Sequence, residues 1–261
     1  MEPGRYLANM RATAPLVQNI TNYVAMNVMA NVMLAAGCSP AMVHAEEEAA
    51  EFAAIAQAVT VNIGTLSGSW VESMLAVARV AAARNVPWVL DPVAAGATAF
   101  RRETSAALLA LLPDVVRGNA SEIMALAGGA GRGRGVDAAD GVEAAEAAAR
   151  ALAAETRGVV AVTGPVDYVT DGRRAYRIAN GNPLMPRVTA LGCSLTGVVG
   201  AFLVGQDRLE ATVAALAYYG LAGEMAADGA AGPGSFAVAF CDALYRLTPE
   251  RVDEGARVTE A

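Results

Sequence analysis

The sequence contains no lysine, and all 19 basic residues of the 261-residue chain are arginine. P-loop kinases, protein kinases and Schiff-base enzymes each need a lysine at the reacting centre, so these classes are excluded. The single histidine, His44, argues against a serine–histidine–aspartate triad and removes histidine-rich zinc and iron sites. Phosphate, if this protein handles it, must be held by arginine, backbone amides and a metal ion.

Cysteine, positive charge and long apolar runs are also scarce. Cys38, Cys193 and Cys241 are far apart and odd in number, which argues against a disulfide framework and favours reduced thiols in the cytoplasm. A net charge of −7 argues against nucleic acid as a partner. No apolar stretch is long enough to span a membrane, and no basic segment precedes an apolar run at the N-terminus, so neither a membrane anchor nor a secretory signal is predicted.

Hydrophobic residues are abundant, at 55% of the chain, against about 45–50% in typical domains. This excess suggests additional buried surface, such as an oligomer interface. Short apolar strands alternate with longer helices, which predicts an α/β fold with a mostly parallel sheet between two helical layers. A turn at Asp171-Gly172 indicates a hairpin after the last parallel strand. The predicted strands are Leu16–Ile20, Ala41–His44, Val59–Ile63, Val86–Leu90, Asp114–Arg117, Val159–Thr163, Asp167–Thr170 and Arg174–Ile178. Helices are predicted over 22–36, 47–57, 68–84, 101–111, 120–127, 140–156, 194–205, 208–227 and 234–247, followed by a loose polar tail over 249–261.

The segment Ala190-Leu191-Gly192-Cys193-Ser194-Leu195 is a small-residue turn that opens an apolar helix. The first amides of such a helix lack partners, and the helix dipole adds partial positive charge. The segment therefore predicts an anion site with Cys193 at its mouth, where the thiol pKa should be lowered. A buried cysteine in an ordinary strand–helix turn is the alternative.

Polar residues also end several predicted strands, where ligands of parallel sheets bind. Asp91 could be a carboxylate that holds a metal ion, or an aspartate that only stabilises a turn. The hydroxyl of Thr163, followed by Gly164, can approach a phosphate closely. Arg117 and Glu122 would lie at the same edge, although Glu122 could instead complete a capping box with Asn119. Because histidine and cysteine clusters are lacking, a metal here would be a hard cation such as Mg²⁺.

Two further segments carry hypotheses. In the first strand, Asn19 could bind a polar edge of a ligand, and Asn22 could cap the next helix. Met26, Met29 and Met33 recur at helical spacing, which indicates core or interface. The glycine-rich run 128–135 follows a helix rather than a strand, so it is predicted to be a flexible, non-catalytic loop.

Several motifs occur in a fixed order along the chain. They are Gln18–Val24, Ala36–Met42, Asn62–Leu66, Leu90–Thr98, Arg117–Ile123, Gly192-Cys193 and Gly232–Phe236. With these motifs the chain resembles the hydroxyethylthiazole kinases, of ribokinase-like fold, over nearly its whole length. The resemblance implies a single kinase domain over residues 1–261 that phosphorylates the hydroxyl of 4-methyl-5-(2-hydroxyethyl)thiazole with ATP, for thiamine salvage. It also implies a homotrimer with substrate sites between subunits, acting on small molecules.

The resemblance also assigns roles to individual residues. Arg117 and Thr163 would contact ATP, and Asp91 and Glu122 would serve catalysis by holding Mg²⁺, directly or through water. The substrate would be bound by Met42, Asn19, Gly64 and Ala190, and the catalytic turn would comprise Gly192 and Cys193. Cys193 stands where related sugar kinases place a catalytic aspartate.

One departure from the family pattern bears on the substrate. Ala190-Leu191 replaces the usual Gly-Thr before Gly192-Cys193, which removes a flexible residue and a hydroxyl. The altered pair gives weight to one alternative, a non-catalytic nucleotide-binding relative. The other alternative is a related small-alcohol kinase such as a hydroxymethylpyrimidine kinase, which would share the fold and the anion site.

Overall fold

The computed structural model describes residues 1–128 and 138–261, so residues 129–137 of the predicted glycine-rich loop lie outside the described residues. Within these ranges the strands form one sheet, and helices cover both of its faces. The strands are β1 (Leu16–Ile20), β2 (Ser39–Ala41), β3 (Ala58–Asn62), β4 (Trp88–Asp91), β5 (Val115–Asn119), β6 (Val159–Thr163), β7 (Asp167–Thr170), β8 (Ala175–Ile178) and β9 (Val258–Glu260). The helices are α1 (Pro3–Thr13), α2 (Met26–Ala36), α3 (Ala49–Ala53), α4 (Gly68–Arg84), α5 (Ala99–Leu109), α6 (Ala120–Gly128), α7 (Ala138–Thr156), α8 (Leu191–Phe202), α9 (Arg208–Ala227), α10 (Pro233–Arg246) and α11 (Pro249–Gly255).

The strands lie across the sheet in the order β2-β1-β3-β4-β5-β6-β7-β8-β9. Neighbours from β2 to β6 are parallel, whereas β6 to β9 pair antiparallel. The turn between β7 and β8 contains Gly172 at a φ of 88°, a left-handed conformation that glycine adopts without strain. The predicted three-layer architecture with a mostly parallel sheet is confirmed.

Alternate residues of the central strands enter separate cores on the two faces of the sheet. In β4, Val89 packs in the core beneath α1, α2 and α8 to α11, and Leu90 packs in the core beneath α3 to α7. Each is fully buried, and burying such a side chain stabilises a fold by about 1.5–3 kcal/mol. Among the described residues, no helix has the length and apolarity needed to cross a membrane.

Predicted and observed bounds agree for β1, β6, β7, α4 and α9, and they differ most around the second strand. The strand predicted over Ala41–His44 is wrong, because β2 spans Ser39–Ala41 at the sheet edge, where Pro40 is tolerated. Helix α2 begins at Met26 rather than at residue 22. Asn22 instead precedes it in a turn, where its backbone carbonyl accepts a hydrogen bond from the Ala25 amide.

The prediction of a loose tail over residues 249–261 is wrong. Helix α11 occupies most of this segment, and its Val252 is fully buried in the core beneath α1. Asp253 of the same helix accepts a hydrogen bond of 2.7 Å from the Gly4 amide, and β9 then pairs with β8. The polar composition concealed this order because Val252 is the one buried residue of the segment.

The methionines of α2 belong to the core. Met29 and Met33 are buried against α8, where a Cβ atom on Gly197 would lie 2.4 Å from Met33 Sδ. Gly197 therefore permits the close approach of the two helices. The exposed apolar side chain of α2 is Leu34, which the spacing of the methionines did not indicate.

Candidate active site

Polar residues converge where β3, β4, β5 and β6 end. Asn62 and Asp91 are paired across β3 and β4, and Asn119 and Thr163 are paired across β5 and β6. Arg117 extends from β5 and reaches both Asp91 and Thr163. Because ligands of parallel α/β sheets bind beyond this edge, the structure brings these predicted site residues together at the expected place.

Asp91 and Arg117 form a buried ion pair. Arg117 Nη1 lies 3.0 Å from Asp91 Oδ2, and the two side chains are 10% and 1% exposed. The same oxygen accepts hydrogen bonds from Asn62 Nδ2 at 2.7 Å and from Thr196 Oγ1 at 2.8 Å. Burial lowers the pKa of the Arg117 guanidinium, but the charge and hydrogen bond of Asp91, together with nearby Cys193 and Glu122, raise it, and the net shift is upward. Asp91 Oδ1 and Arg117 Nε are buried without a partner among the described residues, which is unfavourable for stability and favours a functional role.

The N-terminus of α8 presents free amides above Arg117. The helix begins at Leu191, rather than at residue 194 as predicted, and has no side-chain cap in the part of the chain described. Ala190 precedes it at a φ of 67°, a left-handed conformation that is strained for alanine. Gly192 is exposed, and a Cβ atom there would lie 3.1 Å from Arg117 Nη2. The guanidinium therefore adds its charge to the helix dipole, as an anion site requires.

Cys193 lies half-buried in the first turn of α8. Its sulfur accepts a hydrogen bond from Asn22 Nδ2 at 3.2 Å. Burial raises the pKa of the thiol, and the Asp91 charge raises it further, against the opposing effects of Asn22 and Arg117. The expectation that the helix N-terminus lowers this pKa is therefore wrong, and Cys193 is a neutral thiol at neutral pH.

Thr163 and a residue that the sequence did not single out, Asp167, lie on the other side of Arg117. Thr163 Oγ1 accepts a hydrogen bond of 3.3 Å from Arg117 Nη2 and donates to the Gly118 carbonyl. Asp167 Oδ1 accepts a hydrogen bond of 2.9 Å from the Gly164 amide. Burial raises the pKa of the Asp167 carboxyl to about 7, although that hydrogen bond and the Arg117 charge oppose the shift. Asp167 thus holds the loop that follows Thr163.

Glu122 forms the capping box that the sequence offered as an alternative. Its Oε2 accepts a hydrogen bond of 2.8 Å from the Asn119 amide, and its own amide donates to Asn119 Oδ1 at 3.0 Å. Glu122 Oε1 also accepts from the Ala94 amide at 2.9 Å, which joins the loop after β4 to α6. A carboxylate has about four lone-pair positions, so both oxygens can accept a further ligand.

The acidic residues fit a magnesium ion held mainly by phosphate. The described residues contain no group of three or more histidine, cysteine, aspartate or glutamate side chains placed to hold a metal. Mg²⁺ usually keeps several waters and is bound through one or two carboxylates together with substrate phosphates. Asp91 Oδ1, which lacks a partner among the described residues, and the remaining lone pairs of Glu122 suit that mode.

The loops after β3 and β4 are clamped by one arginine of α5. Arg101 Nη1 donates to the carbonyls of Ile63 at 2.6 Å and Val93 at 2.7 Å, and its Nη2 donates to the Gly64 carbonyl at 2.6 Å. Gly64, a predicted substrate residue, is therefore fixed in place at the edge of the site.

The other predicted substrate residues differ in their placement. Asn19 is buried within β1, where its side chain donates to the Val17 carbonyl and accepts from Thr60 Oγ1 at 2.7 Å. It is part of the sheet interior, so the prediction that it presents a polar edge to a ligand is wrong. Met42 is half-buried directly after β2 and packs on the core beneath α2.

An aromatic cluster includes His44, which lies two residues after Met42 in the chain. The Trp70 ring stands 4.6 Å from that of His44 and 4.6 Å from that of Tyr23, measured between centroids. His44 Nδ1 is buried without a partner among the described residues. Sequence patterns gave no signal for this cluster, because its members come from three separate segments.

Comparison with known proteins identifies the family. Residues 7–250 match the model of the hydroxyethylthiazole kinase family. The chain belongs to the hydroxyethylthiazole kinase family. Hydroxyethylthiazole kinase of Cereibacter sphaeroides is 68% identical over 258 residues, which cover 99% of this chain and 98% of that protein. The solved structure of the hydroxyethylthiazole kinase protein from Pyrococcus horikoshii OT3 has a TM-score of 0.92 at 43% identity, covering 99% of this chain and 98% of that one. Pyridoxal kinase from Staphylococcus aureus shares the fold, with a TM-score of 0.64 at 18% identity over 95% and 99% of the two chains.

Membership of the hydroxyethylthiazole kinase family confirms the predicted resemblance, the ribokinase-like fold and the assignment as a phosphotransferase. It favours a thiazole kinase over a hydroxymethylpyrimidine kinase. The roles of individual residues stay predictions. The sequence also left Asn62 and Thr196 unassigned, although the pairing of Asn62 with Asp91 across neighbouring strands could have indicated the first.

Proposed function

We propose that this hydroxyethylthiazole kinase transfers a phosphoryl group from ATP to the hydroxyl of 4-methyl-5-(2-hydroxyethyl)thiazole, in the cytoplasm, for thiamine salvage. The observation that carries the proposal is the uncapped N-terminus of α8 with Arg117 beneath it. These donors are fixed before the reaction begins, which suits charge that develops on a phosphoryl group in transfer. The choice of substrate is supported by the 68% identity to the Cereibacter sphaeroides enzyme.

Several residues of the site have a defined task in this reaction. The amides of residues 191–193 and Arg117 stabilise the transferring phosphoryl group, and Thr163 contacts the nucleotide beside Arg117. Magnesium, when bound, neutralises phosphate charge, and Glu122 together with Asp91 would hold it. Cys193, as a neutral thiol, positions the alcohol rather than acting as a thiolate base. In-line positioning of the alcohol supplies most of the rate.

We expect a homotrimer with the substrate site between subunits. Five of the six large apolar side chains that are 60–75% exposed, among the described residues, lie on or before α2 and on α10, which packs against α2. They are Tyr23, Val24, Leu34, Val238 and Tyr245. Exposed apolar surface of this kind marks sites of association. Light scattering at micromolar concentration measures the state, and a monomer would contradict the expectation.

The test is ATP turnover by the purified protein with the thiazole alcohol and, in parallel, with hydroxymethylpyrimidine. We expect ADP formation that depends on the thiazole alcohol, with its phosphate identified by mass spectrometry. Gly192→Ala directs a methyl group at Arg117 Nη2 and should lower kcat by about tenfold or more, because small misplacements at a phosphoryl site are costly. Gly68→Ala, where no described residue lies within 4 Å of the added atom, is the matched control.

Turnover with hydroxymethylpyrimidine alone would move the assignment to that kinase class. A folded protein that binds ATP but turns over neither alcohol would be the non-catalytic relative.

A further inference from the structure

Two asparagines connect the Cys193 thiol to the buried Asp91 carboxylate. Asn22 Nδ2 donates to Cys193 Sγ at 3.2 Å and also to Asn62 Oδ1 at 3.0 Å. Asn62 Nδ2 then donates to Asp91 Oδ2 at 2.7 Å. Asn22 and Asn62 are 6% and 1% exposed, so this chain of hydrogen bonds is shielded from water. Neither asparagine has a role in the reaction as described so far.

The orientation of the Asn62 amide is determined by its neighbours. Asp91 Oδ2 is a carboxylate oxygen and can only accept, so the Asn62 atom facing it must be the nitrogen. The Gly64 amide can only donate, and it lies 2.9 Å from the other end of the Asn62 side chain, which must therefore be the oxygen. Both neighbours give the same orientation of the Asn62 amide. The Asn22 atom that faces Asn62 Oδ1 must therefore be a donor, which is its nitrogen.

The same reasoning fixes Asn22. Its Oδ1 accepts from the Ala25 amide at 3.0 Å, so its nitrogen must face both Asn62 Oδ1 and Cys193. The Asn22 nitrogen has no lone pair to accept with, so Cys193 can only accept from it. The thiol proton therefore cannot point toward Asn22, and Cys193 can donate it only to a group on the open side of the sulfur.

We propose that Asn22 and Asn62 are positioning residues for the reaction, and that Asp91 sets the orientation of Cys193 through them. The proposal rests on the proposed function, in which Cys193 positions the alcohol. Gly64 is part of the arrangement, because a Cβ atom there would lie 2.8 Å from the Asn22 side chain and 2.9 Å from Asn62 Oδ1. Asp91 thus acts on the acceptor alcohol as well as on Arg117.

The first test uses stability alone and needs no substrate. Equilibrium unfolding in denaturant is measured for Asn62→Ala, Cys193→Ala and the double variant. We expect the two effects on the unfolding equilibrium constant to depart from additivity by about threefold or more, as for residues in one hydrogen-bond network. Asn180→Ala combined with Cys193→Ala is the matched control and should be additive, because buried Asn180 belongs to a separate network with Glu224 and Arg257. Additivity in the Asn62 cycle would overturn the proposal.

The second test separates positioning from packing. Asn62→Leu keeps much of the shape of the side chain but can neither donate to Asp91 nor accept from Asn22, so it should lower kcat for the thiazole alcohol by about tenfold or more, at least as much as Asn62→Ala, with the KM for ATP unchanged. Most of this loss should vanish in the Cys193→Ala background. Near-normal kcat in a folded Asn62→Leu variant would mean that only packing matters and would refute the proposal.

If Asn62→Ala fails to fold, Asn22→Ser takes its place in the same cycles. A wild-type protein inactive on the thiazole alcohol, combined with non-additive unfolding, would overturn the proposed function but support the coupling of Asn62 to Cys193.

Discussion

Charged side chains are buried at one edge of the sheet and exposed at the other. At the carboxyl edge, Arg117 and Asp91 are buried, and each has a polar atom without a partner in the part of the chain that the structure describes. At the amino edge, cavities of about 670 and 520 Å³ are lined by exposed arginines, such as Arg157 and Arg208, and by none of the predicted site residues. Arg208 lies 2.7 Å from Asp114, but its side chain is 56% exposed.

The difference shows that burial and unmet hydrogen bonds, rather than cavity size, mark the reacting edge. Exposed ion pairs contribute about 0–1 kcal/mol because water competes for both partners. Buried charges persist only where neighbouring groups hold them in place, and such groups cluster at functional sites.

The largest contrast between the edges is expected from removing one arginine at each. Arg117→Met should lower the free energy of unfolding by about 3–5 kcal/mol, because it leaves the Asp91 carboxylate buried without its partner. Arg208→Met at the amino edge should change it by about 0–1 kcal/mol. Denaturant unfolding measures both, and similar losses in the two variants would show that burial does not distinguish the edges.

Glu122→Ala tests the reacting edge by activity. We expect kcat to fall by about two orders of magnitude, roughly 3 kcal/mol in the barrier, because magnesium and phosphate lose a carboxylate. Stability should fall by only about 1 kcal/mol through the lost capping box. Glu47→Ala, an exposed carboxylate elsewhere, is the control. A Glu122→Ala variant with near-normal kcat would exclude the carboxylate from the reaction.

Two of the three alanines that lie in the left-handed region, among the described residues, provide a smaller contrast. Ala190 stands at a φ of 67° before α8, and Ala14 stands at 44° before β1 at the opposite edge. Glycine at either position should raise the free energy of unfolding by about 1 kcal/mol, because the strain disappears. Only Ala190→Gly should also change kcat, since it alone adjoins the free amides. Equal kinetic effects of the two variants would remove the functional meaning of the strain.

The last contrast between the edges is in the pH dependence of stability. Burial raises the pKa of Asp167 to about 7, so its folded form binds a proton more tightly than the unfolded chain, and its contribution to stability is lost as pH rises from about 4 to 7. The free energy of unfolding of Asp167→Asn should therefore rise relative to that of the wild type as pH increases over this range. At Asp171, on the amino edge, burial raises the pKa, but hydrogen bonds from the Arg174 and Arg173 amides, together with the Arg174 guanidinium, lower it. The net pKa is lowered, so that contribution is lost only as pH falls below about 4. The free energy of unfolding, measured from pH 3 to pH 8 for the wild type and for Asn variants of the two residues, checks both directions. The same pH trend for Asp167 and Asp171 would contradict these opposite pKa shifts.

The sequence predicted the parallel sheet and the placement of Asp91, Arg117 and Thr163, because strand ends in such a sheet share one edge. It could not predict the state of Cys193, since that depends on burial and on a carboxylate more than a hundred residues away. Asn19 was misplaced because a strand ending cannot reveal which polar residue turns into the sheet interior. The ordered C-terminal segment was missed because one buried Val252 gives no periodic pattern.

Arg101 links the stability of a helix to the shape of the site. Its guanidinium holds the carbonyls of Ile63, Gly64 and Val93, on the two loops that follow Asn62 and Asp91. Fraying of the first turn of α5 would release both loops at once, so these segments should open as one cooperative unit in native-state hydrogen exchange. A side chain that touches no reacting atom thereby sets how often the site is assembled.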